Sequence, residues 1–468
     1  MADDALCRLG LADLAAAIRQ REVSPVEVVE AHLARIEAQD GRLHAFVRLE
    51  ADAALAAARE AEQAVVDGRA LGAMHGVPYA LKDIVDAEGL PTTCQSRLYR
   101  DHVADRDAFV TARLRAAGGI LMGKLTTHEF AIGGPCFDLP DPPARNPWNP
   151  DKFTGGSSSG SGAAVAAGFV PFAIGTDTGG SVRNPATCCG LAGLKPTYGR
   201  VSRRGVFPLS FSLDHVGPMT RSIADNALAL GLIAGHDPDD PASARRPVPD
   251  FAQVLEAGVA GLRLGVVRHF HRRDLIADAE VEAGFEATVA KLAEAGADIV
   301  EVETAPLGAF ANCNRVILLA EAAAVHERHF RERPEAFGDL TRRRLLPGLF
   351  LSAVDYVQAQ RERRRLTAAM DAALEGVDAL LCVSAMDPPC DVENAQEIER
   401  TYPRQARTPF NVTGHPALSV PAGFTAGGLP LALQIVAPAW QEALAYRIGA
   451  EVERACDAVA RWPEPAVA

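Results

Sequence analysis

The sequence that decides the fold is TGGSSSGSGAAV at residues 154–165, which is followed by GTDTGGSVR at residues 175–183. A Gly/Ser-rich segment is often a flexible linker, but a linker lies between domains in polar surroundings. This segment instead leads directly into an Ala/Val-rich helical pattern and then into an apolar strand at 172–175. We therefore expect the segment to be built into the core of the protein.

Three known glycine motifs do not account for the segment. A phosphate-binding loop needs a lysine after its glycines, and none follows here. A dinucleotide-binding GxGxxG motif needs a third glycine where Val165 stands. Residues 156–160 fit G-x-S-x-G with Ser158 in the centre, but that nucleophile elbow requires an apolar strand before it. The preceding NPDKFT at 149–154 cannot form such a strand.

Further motifs flank the segment: GVPYALKD at 76–83, CGLAGLKPT at 189–197, DHVGPM at 214–219 and NVTGHP at 411–416. Together with GGSSxGS and GTDxGGSxR, they closely resemble the signature of the amidase-signature family, and the resemblance covers most of the chain. Carried over residue by residue, it implies a catalytic triad of Lys82, Ser157 and Ser181. It also implies that a cis peptide bond precedes Ser157.

The chain departs from the family pattern at a few positions. Ser159 stands where glycine is usual, and Asn184 stands where an apolar residue or glutamine is common. The loop PCFDLP at 135–140 is also unusual. These departures bear on the substrate pocket rather than on the triad.

A serine hydroxyl is a poor nucleophile until a neighbouring group accepts its proton, and a neutral lysine can serve as that group. The pKa of lysine must then fall from about 10.4 to about 7, which burial alone can achieve. Lys82 ends an apolar run, and Asp83 should point to the opposite side of the strand. Lysine is rare here, with five among 47 basic residues, so a retained lysine indicates a role that arginine cannot fill. The competing interpretation is a charged lysine facing solvent at a strand end.

The tetrahedral oxyanion needs donors that carry no bulky side chain. Thr178, Gly179 and Gly180 offer consecutive backbone N–H groups in a turn that glycine permits, and losing one such donor typically costs about 10²–10³ in rate. By resemblance, the loop at 129–137 lines the substrate pocket, with Ala131 near the reacting carbonyl.

The remaining polar residues around the turn have structural interpretations. We expect Asp177 and Arg183 to form an ion pair that braces the loop rather than to bind substrate. The histidines are expected to be structural or to support the site indirectly: His75, His128, His215 and His415.

The composition excludes several classes of protein. The chain has 468 residues, a formal net charge of −13 and 48% hydrophobic residues, which describes a globular protein without the basic surface of a nucleic-acid-binding protein. No run approaches the roughly 18 apolar residues of a membrane helix, and the N-terminus lacks the features of a signal peptide. The nine cysteines show no zinc-ligand spacing, so free thiols in a reducing cytoplasm and no metal are expected.

Two arginine runs, at 342–344 and 361–365, are the strongest basic features. The second lies in a helical pattern whose apolar positions recur every four residues: Leu366, Met370 and Leu374. That pattern predicts a solvated, amphipathic helix face rather than a site that binds RNA or DNA.

The pattern along the chain predicts an α/β fold. Residues 1–70 are interpreted as helical, with a capping box at Ser24–Glu27. Strands are predicted at 77–84, 119–122, 172–175, 262–267, 298–302, 379–384 and 431–435. Helices are predicted at 107–117, 222–233, 281–295 and 440–456. With the resemblance, this alternation indicates one large domain over 1–468, in which helices cover both faces of a mixed central sheet and residues 76–200 form the signature core.

The leading functional hypothesis is a cofactor-free hydrolase that cleaves the C–N bond of a small-molecule carboxamide. The alternative is the A (glutaminase) subunit of a tRNA-dependent amidotransferase, whose partner protein would bind the RNA. The segment FSLDHVGP at 211–218 looks more like that of a stand-alone amidase. A third hypothesis, a catalytically dead binding protein, would predict an eroded triad, whereas all three residues are present. The resemblance also makes a homodimer a fair expectation.

Overall fold

The computed structural model describes residues 3–464 of the chain. Eleven strands form in that range: β1 (Phe46–Leu49), β2 (Pro78–Lys82), β3 (Ile120–Leu125), β4 (Phe172–Asp177), β5 (Ala192–Lys195), β6 (His215–Thr220), β7 (Arg263–Val266), β8 (Asp298–Glu301), β9 (Ala379–Val383), β10 (Ala417–Phe424) and β11 (Pro430–Val436). Fifteen α-helices form in the same range: α1 (Asp3–Leu6), α2 (Leu11–Arg19), α3 (Pro25–Leu43), α4 (Ala51–Val66), α5 (Phe109–Ala116), α6 (Ser159–Ala166), α7 (Arg183–Cys189), α8 (Ile223–Ile233), α9 (Ala279–Glu294), α10 (Leu307–Glu332), α11 (Asp339–Leu345), α12 (Ala353–Leu374), α13 (Ala395–Thr401), α14 (Thr408–Thr413) and α15 (Glu442–Cys456).

All eleven strands join one mixed sheet in the order β1-β3-β2-β4-β6-β5-β10-β11-β9-β7-β8. Strand β2 lies parallel to both β3 and β4, and β7 lies parallel to β8 and β9. The strands between these two groups pair antiparallel. The sheet therefore combines two parallel parts through an antiparallel centre, as the predicted fold class requires.

Helices flank both faces of the sheet. On β2, Tyr79 and Leu81 enter one apolar cluster, whereas Ala80 enters another. On β4, Phe172 belongs to the first cluster and Ala173 to the second. Since successive side chains of a strand point to opposite faces, the two clusters lie on opposite sides of the sheet. Both faces are thus buried, which confirms the predicted layers.

The seven strands predicted from apolar runs are all present, within a few residues of their expected ends. Four further strands are not marked by an apolar run, and for each there is a physical reason why the sequence did not predict it. Strand β1 lies inside the N-terminal region interpreted as helical, where it pairs with β3. Strands β5 and β6 contain glycine, and Pro218 stands within β6 itself. Strand β10 has a bulge next to Pro421, a position at which proline is tolerated in a sheet.

The helix predictions hold in most details. Helix α3 begins with the complete capping box, in which Ser24 accepts from the N–H of Glu27 and the Glu27 side chain accepts from the N–H of Ser24. Helix α12 buries the predicted apolar stripe of Leu366, Met370 and Leu374. Arg363 departs from the predicted solvated face, because its Nε donates to the Val412 carbonyl at 2.7 Å and its Nη2 to the Ser212 carbonyl at 3.0 Å.

Among the helices of residues 3–464, none combines the length and the apolarity that crossing a bilayer requires.

Candidate active site

Lys82 is the last residue of β2, and its side chain is fully buried. Its Nζ lies 2.7 Å from Oγ of Ser157 and 2.8 Å from Oγ1 of Thr176. Burial lowers the pKa of Lys82 to about 7, although the nearby carboxyl groups of Asp214 and Asp177 raise it in part. A lysine that is about half neutral near pH 7 can accept a proton from the serine it contacts.

Asp83, the next residue, interacts with other partners. Its Oδ1 lies 3.0 Å from Nζ of Lys124, and its Oδ2 accepts from the N–H of Thr93 at 3.1 Å. The alternation of side chains along the strand therefore separates Asp83 from Lys82, as predicted from the sequence. The carboxylate of Asp83 is neutralised by another lysine and leaves Lys82 free to lose its proton.

Ser157 follows a cis peptide bond from Gly156, as the family resemblance implies. Its carbonyl accepts from the N–H of His128 at 3.0 Å, and its side chain is fully buried. The N–H of Ser158 donates to the carbonyl of Ser181 at 3.3 Å. This backbone contact joins the segment that carries Ser157 to the turn that carries Ser181.

Ser158 itself has a structural role. Its Oγ donates to the carbonyl of Thr176 at 3.3 Å and accepts from the N–H of Thr176 at 3.2 Å. The hydroxyl is fully buried and engaged with the end of β4. The G-x-S-x-G pattern around Ser158 is therefore a coincidence of sequence and not a nucleophile elbow.

The turn after β4 is organised by the Asp177 carboxylate. Its Oδ1 accepts from the N–H of Gly180 at 2.9 Å and from Nδ2 of Asn411 at 2.8 Å. Its Oδ2 accepts from the N–H of Val182 at 3.2 Å. Arg183 completes the arrangement with two contacts, from Nε to Oδ2 at 3.0 Å and from Nη2 to Oδ1 at 2.9 Å.

Burial would raise the pKa of Asp177, but the guanidinium of Arg183 holds it well below the ordinary range of a carboxyl group. Arg183 is fully buried and reaches two further elements, with Nη1 donating to Gln434 at 2.7 Å and Nη2 donating to Asn411 at 2.7 Å. Asp177 and Arg183 thus brace the turn, as expected from the sequence.

Gly180 needs to be glycine for two reasons. Its φ is +122°, and a Cβ at this position would lie 2.6 Å from Nε of Arg407. Its N–H is already donated to Asp177, so the structure does not support the prediction that this group serves the oxyanion. Among the predicted donors, Thr178 and Gly179 remain.

Ser181 stands between this turn and α7, and its exposed fraction is 7%. Its hydroxyl group interacts with the phenol of Tyr402. Burial raises the pKa of Tyr402, so the phenol is protonated at neutral pH. The nucleophile candidate is therefore largely buried beside a neutral hydroxyl group.

A cavity of about 210 Å³ adjoins the turn, and Ala131, Thr176 and Thr178 line it. Ala131 has a φ of +61°, a left-handed conformation that is uncommon for a residue other than glycine. Oγ1 of Thr178 donates to Oδ1 of Asp214 at 2.6 Å, and burial raises the pKa of Asp214 to about 6. The structure thus brings Ala131 and Thr178 to one cavity beside the candidate oxyanion turn.

Two of the departures from the family pattern have local roles. Nδ2 of Asn184 donates to the carbonyl of Gly156 at 3.3 Å, which fastens the segment before Ser157. Oγ of Ser159 donates to the carbonyl of Thr126 at 3.4 Å. Both contacts support the polypeptide around the triad candidates.

His128 lies beside the same segment and packs against an aromatic ring. Its ring stacks on Phe153 with the ring centroids 6.0 Å apart. Burial lowers the pKa of His128 to about 3, so the ring is neutral. This placement agrees with the expectation that the histidines are structural.

Sequence reasoning did not identify four residues of the site: Thr176, Asp214, Tyr402 and Arg407. Thr176 and Asp214 stand inside motifs that were recognised, GTDTGGSVR and DHVGPM, so their positions offered a signal. Tyr402 and Arg407 precede the NVTGHP motif in a segment without a recognisable pattern. Only the fold brings that segment to the turn that carries Ser181.

In the part of the chain that the structure describes, no group of three or more His, Cys, Asp or Glu residues is arranged to hold a metal ion.

The structure thus places a lysine within hydrogen-bonding distance of one serine, beside a glycine turn that carries a second serine. A serine hydrolase can use a lysine rather than a histidine as its base. Comparison with known proteins defines the class further. The chain belongs to the amidase (amidase-signature) family, whose model matches residues 27–445.

The relatives are similar over nearly their whole length. The A subunit of glutamyl-tRNA(Gln) amidotransferase from Anaeromyxobacter sp. (strain K) is 38% identical, over 98% of this chain and 99% of the relative. The structure of a peptide amidase from Stenotrophomonas maltophilia is 32% identical, with a TM-score of 0.86 over 98% of both chains. The structure of the glutamyl-tRNA(Gln) amidotransferase A subunit from Thermotoga maritima is 30% identical, with a TM-score of 0.83 over 99% of this chain and 98% of that chain.

Proposed function

We propose that the protein hydrolyses a carboxamide C–N bond through an acyl-enzyme on Ser181, with Ser157 as proton bridge and Lys82 as general base. The observation that carries the proposal is the 2.7 Å contact between Nζ of Lys82 and Oγ of Ser157. Burial that lowers the pKa of Lys82 to about 7 makes this contact suitable for proton transfer.

In the proposed reaction, Lys82 accepts the proton of Ser157, and Ser157 accepts that of Ser181. Oγ of Ser181 attacks the carbonyl carbon, and the tetrahedral intermediate breaks its C–N bond. The proton returns through Ser157 to the leaving nitrogen, which departs as ammonia or an amine. Water then attacks the acyl-enzyme, with Ser157 and Lys82 again accepting the proton. The acyl group leaves Ser181 as a carboxylic acid, the second product of the reaction.

The oxyanion is proposed to accept from the N–H groups of Thr178 and Gly179. The hydrogen bond from Thr178 to Asp214 fixes the side chain of Thr178. The Asp177 carboxylate fixes the end of the turn by accepting from the N–H of Gly180. Donors held in place before the reaction stabilise developing charge without reorganisation. Ala131 is proposed to lie opposite the turn, against the reacting carbonyl group.

The experiment is ammonia and amine release from a panel of amides, glutamine included, by wild type and by Lys82→Ala, Ser157→Ala and Ser181→Ala. Ser158→Ala is the matched control, because it removes the neighbouring serine hydroxyl. We expect each triad variant to lose at least about 10³-fold in kcat. The control should keep most of the turnover and lose about 1 kcal/mol of stability. Turnover that survives in Ser181→Ala would mean that another group is the nucleophile.

The second candidate is the A (glutaminase) component of a tRNA-dependent amidotransferase, in which the same triad releases ammonia from glutamine for a partner protein. The similarity to the A subunits of such amidotransferases, over nearly all of both chains, favours this candidate over a stand-alone amidase. Glutamine hydrolysis that depends on a co-purifying protein would establish it. Efficient turnover of other amides by the isolated protein, without stimulation by any partner, would establish the stand-alone enzyme.

We propose a reducing cytoplasmic environment, since Cys188 and Cys189 are buried free thiols. A homodimer of the isolated chain remains a proposal from the family resemblance alone. Sedimentation of the purified protein over a range of concentrations measures its mass, and a monomer at every concentration would exclude the homodimer.

A further inference from the structure

Arg407 is a buried cation without an anionic partner. Its exposed fraction is 3%, and its Nη1 donates to the carbonyl of Ser384 at 2.9 Å. Its Nε has no hydrogen-bond partner among the residues that the structure describes. Within residues 3–464, no carboxylate lies within ion-pairing distance of this guanidinium. Buried charges are normally paired, because an unpaired ion loses its hydration without compensation.

The groups near Arg407 do not supply the missing negative charge. Burial raises the pKa of Cys188 to about 12 and also raises that of Tyr402, so both are neutral. Asp177 is already engaged by Arg183. Burial lowers the pKa of Arg407 to about 10, which still leaves the guanidinium charged at neutral pH.

The unpaired charge lies at the nucleophile turn. Nε of Arg407 packs against Gly180, the residue before Ser181, where a Cβ would lie 2.6 Å away. Tyr402, which interacts with the Ser181 hydroxyl, also lies close enough to Arg407 for each to influence the pKa of the other. Oγ1 of Thr408, the next residue, is a second buried polar atom that has no hydrogen-bond partner in the described part of the chain, 3–464.

Arg344 adds to the positive potential of this region. It lies on α11 and lowers the pKa of both His128 and Tyr402. Two arginines thus act on the groups around Ser181, and the Asp177 carboxylate of the same turn is already paired with Arg183. A negatively charged group on the substrate would supply the anionic partner that Arg407 lacks.

We propose that Arg407 binds a carboxylate of the substrate, so that the preferred substrates are amides with a carboxylate close to the scissile bond. This inference rests on the proposed function of Ser181. The guanidinium offers a planar set of donors that matches a carboxylate, and Thr408 Oγ1 can donate to the same group.

The first test compares pairs of amides that differ only in charge. Succinamate and 4-methylpentanamide form the acyl-side pair, and N-acetylglycine and N-isobutylacetamide form the amine-side pair. For the wild type we expect kcat/KM to be about 10- to 100-fold higher for the carboxylate in one pair, since charged hydrogen bonds are worth about 1.5–3 kcal/mol. The pair that shows the preference identifies the side on which the carboxylate lies. Equal rates in both pairs, with turnover that still requires Ser181, would overturn the inference and leave the proposed function standing.

Variants assign the preference to Arg407. We expect Arg407→Met to remove it, so that kcat/KM for the carboxylate amide falls to that of its neutral partner in the same variant, and Arg407→Lys to restore part of it. Arg200→Met is the matched control, because Arg200 is also buried but is paired with Glu442 at 3.1 Å, and it should keep the full preference. A preference that persists in Arg407→Met would overturn the inference.

A second measurement does not depend on the folding of the Arg407 variants or on turnover. Titration calorimetry of full-length Ser181→Ala with each amide should show a dissociation constant at least about tenfold lower for the carboxylate of one pair. Equal binding within both pairs would overturn the inference. A third outcome separates the two proposals. If wild type hydrolyses none of the amides but Ser181→Ala still binds a carboxylate preferentially, the anion site stands and the proposed hydrolysis is rejected.

Discussion

Nζ of Lys82 and Oγ of Ser157 lie 2.7 Å apart in a fully buried environment. A charged lysine would lose its hydration, and Thr176 supplies only one further neutral acceptor. Burial of the pair lowers the pKa of Lys82 to about 7, and two of the predictions below follow from that shift.

The first prediction concerns the pH dependence of the rate. Lys82 must be neutral to act as a base, and burial places its pKa at about 7. The value of kcat/KM should therefore fall about tenfold for each pH unit below 7 and level off above it. A pH–rate profile from 5.5 to 9 with a neutral amide measures this dependence. A rate that is constant between pH 5.5 and 7 would exclude a titrating lysine base.

The second prediction concerns stability. The pKa of Lys82 is lower in the folded protein than its ordinary value of 10.5, so the unfolded chain binds more protons between pH 7 and 10.5. This difference contributes a stability that rises with pH across that window, by at most about 1.4 kcal/mol per pH unit. Lys82→Met removes the contribution, so the variant should gain most relative to wild type at pH 7.

Chemical denaturation of both proteins at pH 7, 8 and 9.5 measures that difference. The advantage of Lys82→Met over wild type should shrink as the pH rises. An advantage that grows with pH would contradict a lowered pKa for Lys82.

The third prediction separates the two glycines of the turn. At Gly180 the φ of +122° and the nearby Arg407 side chain exclude a methyl group, whereas at Gly179 the nearest atom to a new Cβ is Oδ1 of Asn314 at 3.4 Å. Gly180→Ala should therefore lose about 2 kcal/mol or more of stability, and Gly179→Ala about 1 kcal/mol or less. Thermal and chemical denaturation measure both. Equal losses would show that the turn relaxes to accept a side chain at either position.

The fourth prediction concerns the brace behind the turn. Replacing Arg183 by methionine leaves the Asp177 carboxylate buried and unpaired, which should cost about 3–5 kcal/mol in the free energy of unfolding. As a control, Arg328→Ala breaks an exposed pair with Glu332 on α10 and should cost about 0.5 kcal/mol or less. A loss below about 1 kcal/mol in Arg183→Met would mean that the pair does not hold the turn.

The sequence was sufficient to predict the local structure around the three triad candidates. Lys82, Ser157 and Ser181 lie in motifs whose neighbours specify a strand end and two glycine turns. The scarcity of lysine was also informative, because Lys124 and Lys195 are fully buried like Lys82. Each of these lysines has a specific partner, such as Asp83 for Lys124.

The rest depends on contacts between segments far apart in the chain. Arg407 reaches Gly180 only because β10, which follows it, pairs with β5 in the centre of the sheet. Strand β6 was hidden because Pro218, which usually argues against a central strand, pairs with Ile174 in its middle. A single sequence contains no local signal for either arrangement.

The wide separation of paired segments has a consequence for synthesis of the protein. The nucleophile turn is braced by Asn411 and Gln434, more than two hundred residues after Arg183, and β5 pairs with β10. A chain emerging from the ribosome therefore carries all three triad candidates long before the supports of that turn exist. The nascent polypeptide should remain inactive until its last quarter has been translated, since contacts of such high sequence separation form late. The proposed activity of Ser181 therefore depends on contacts that only the last quarter of the chain supplies.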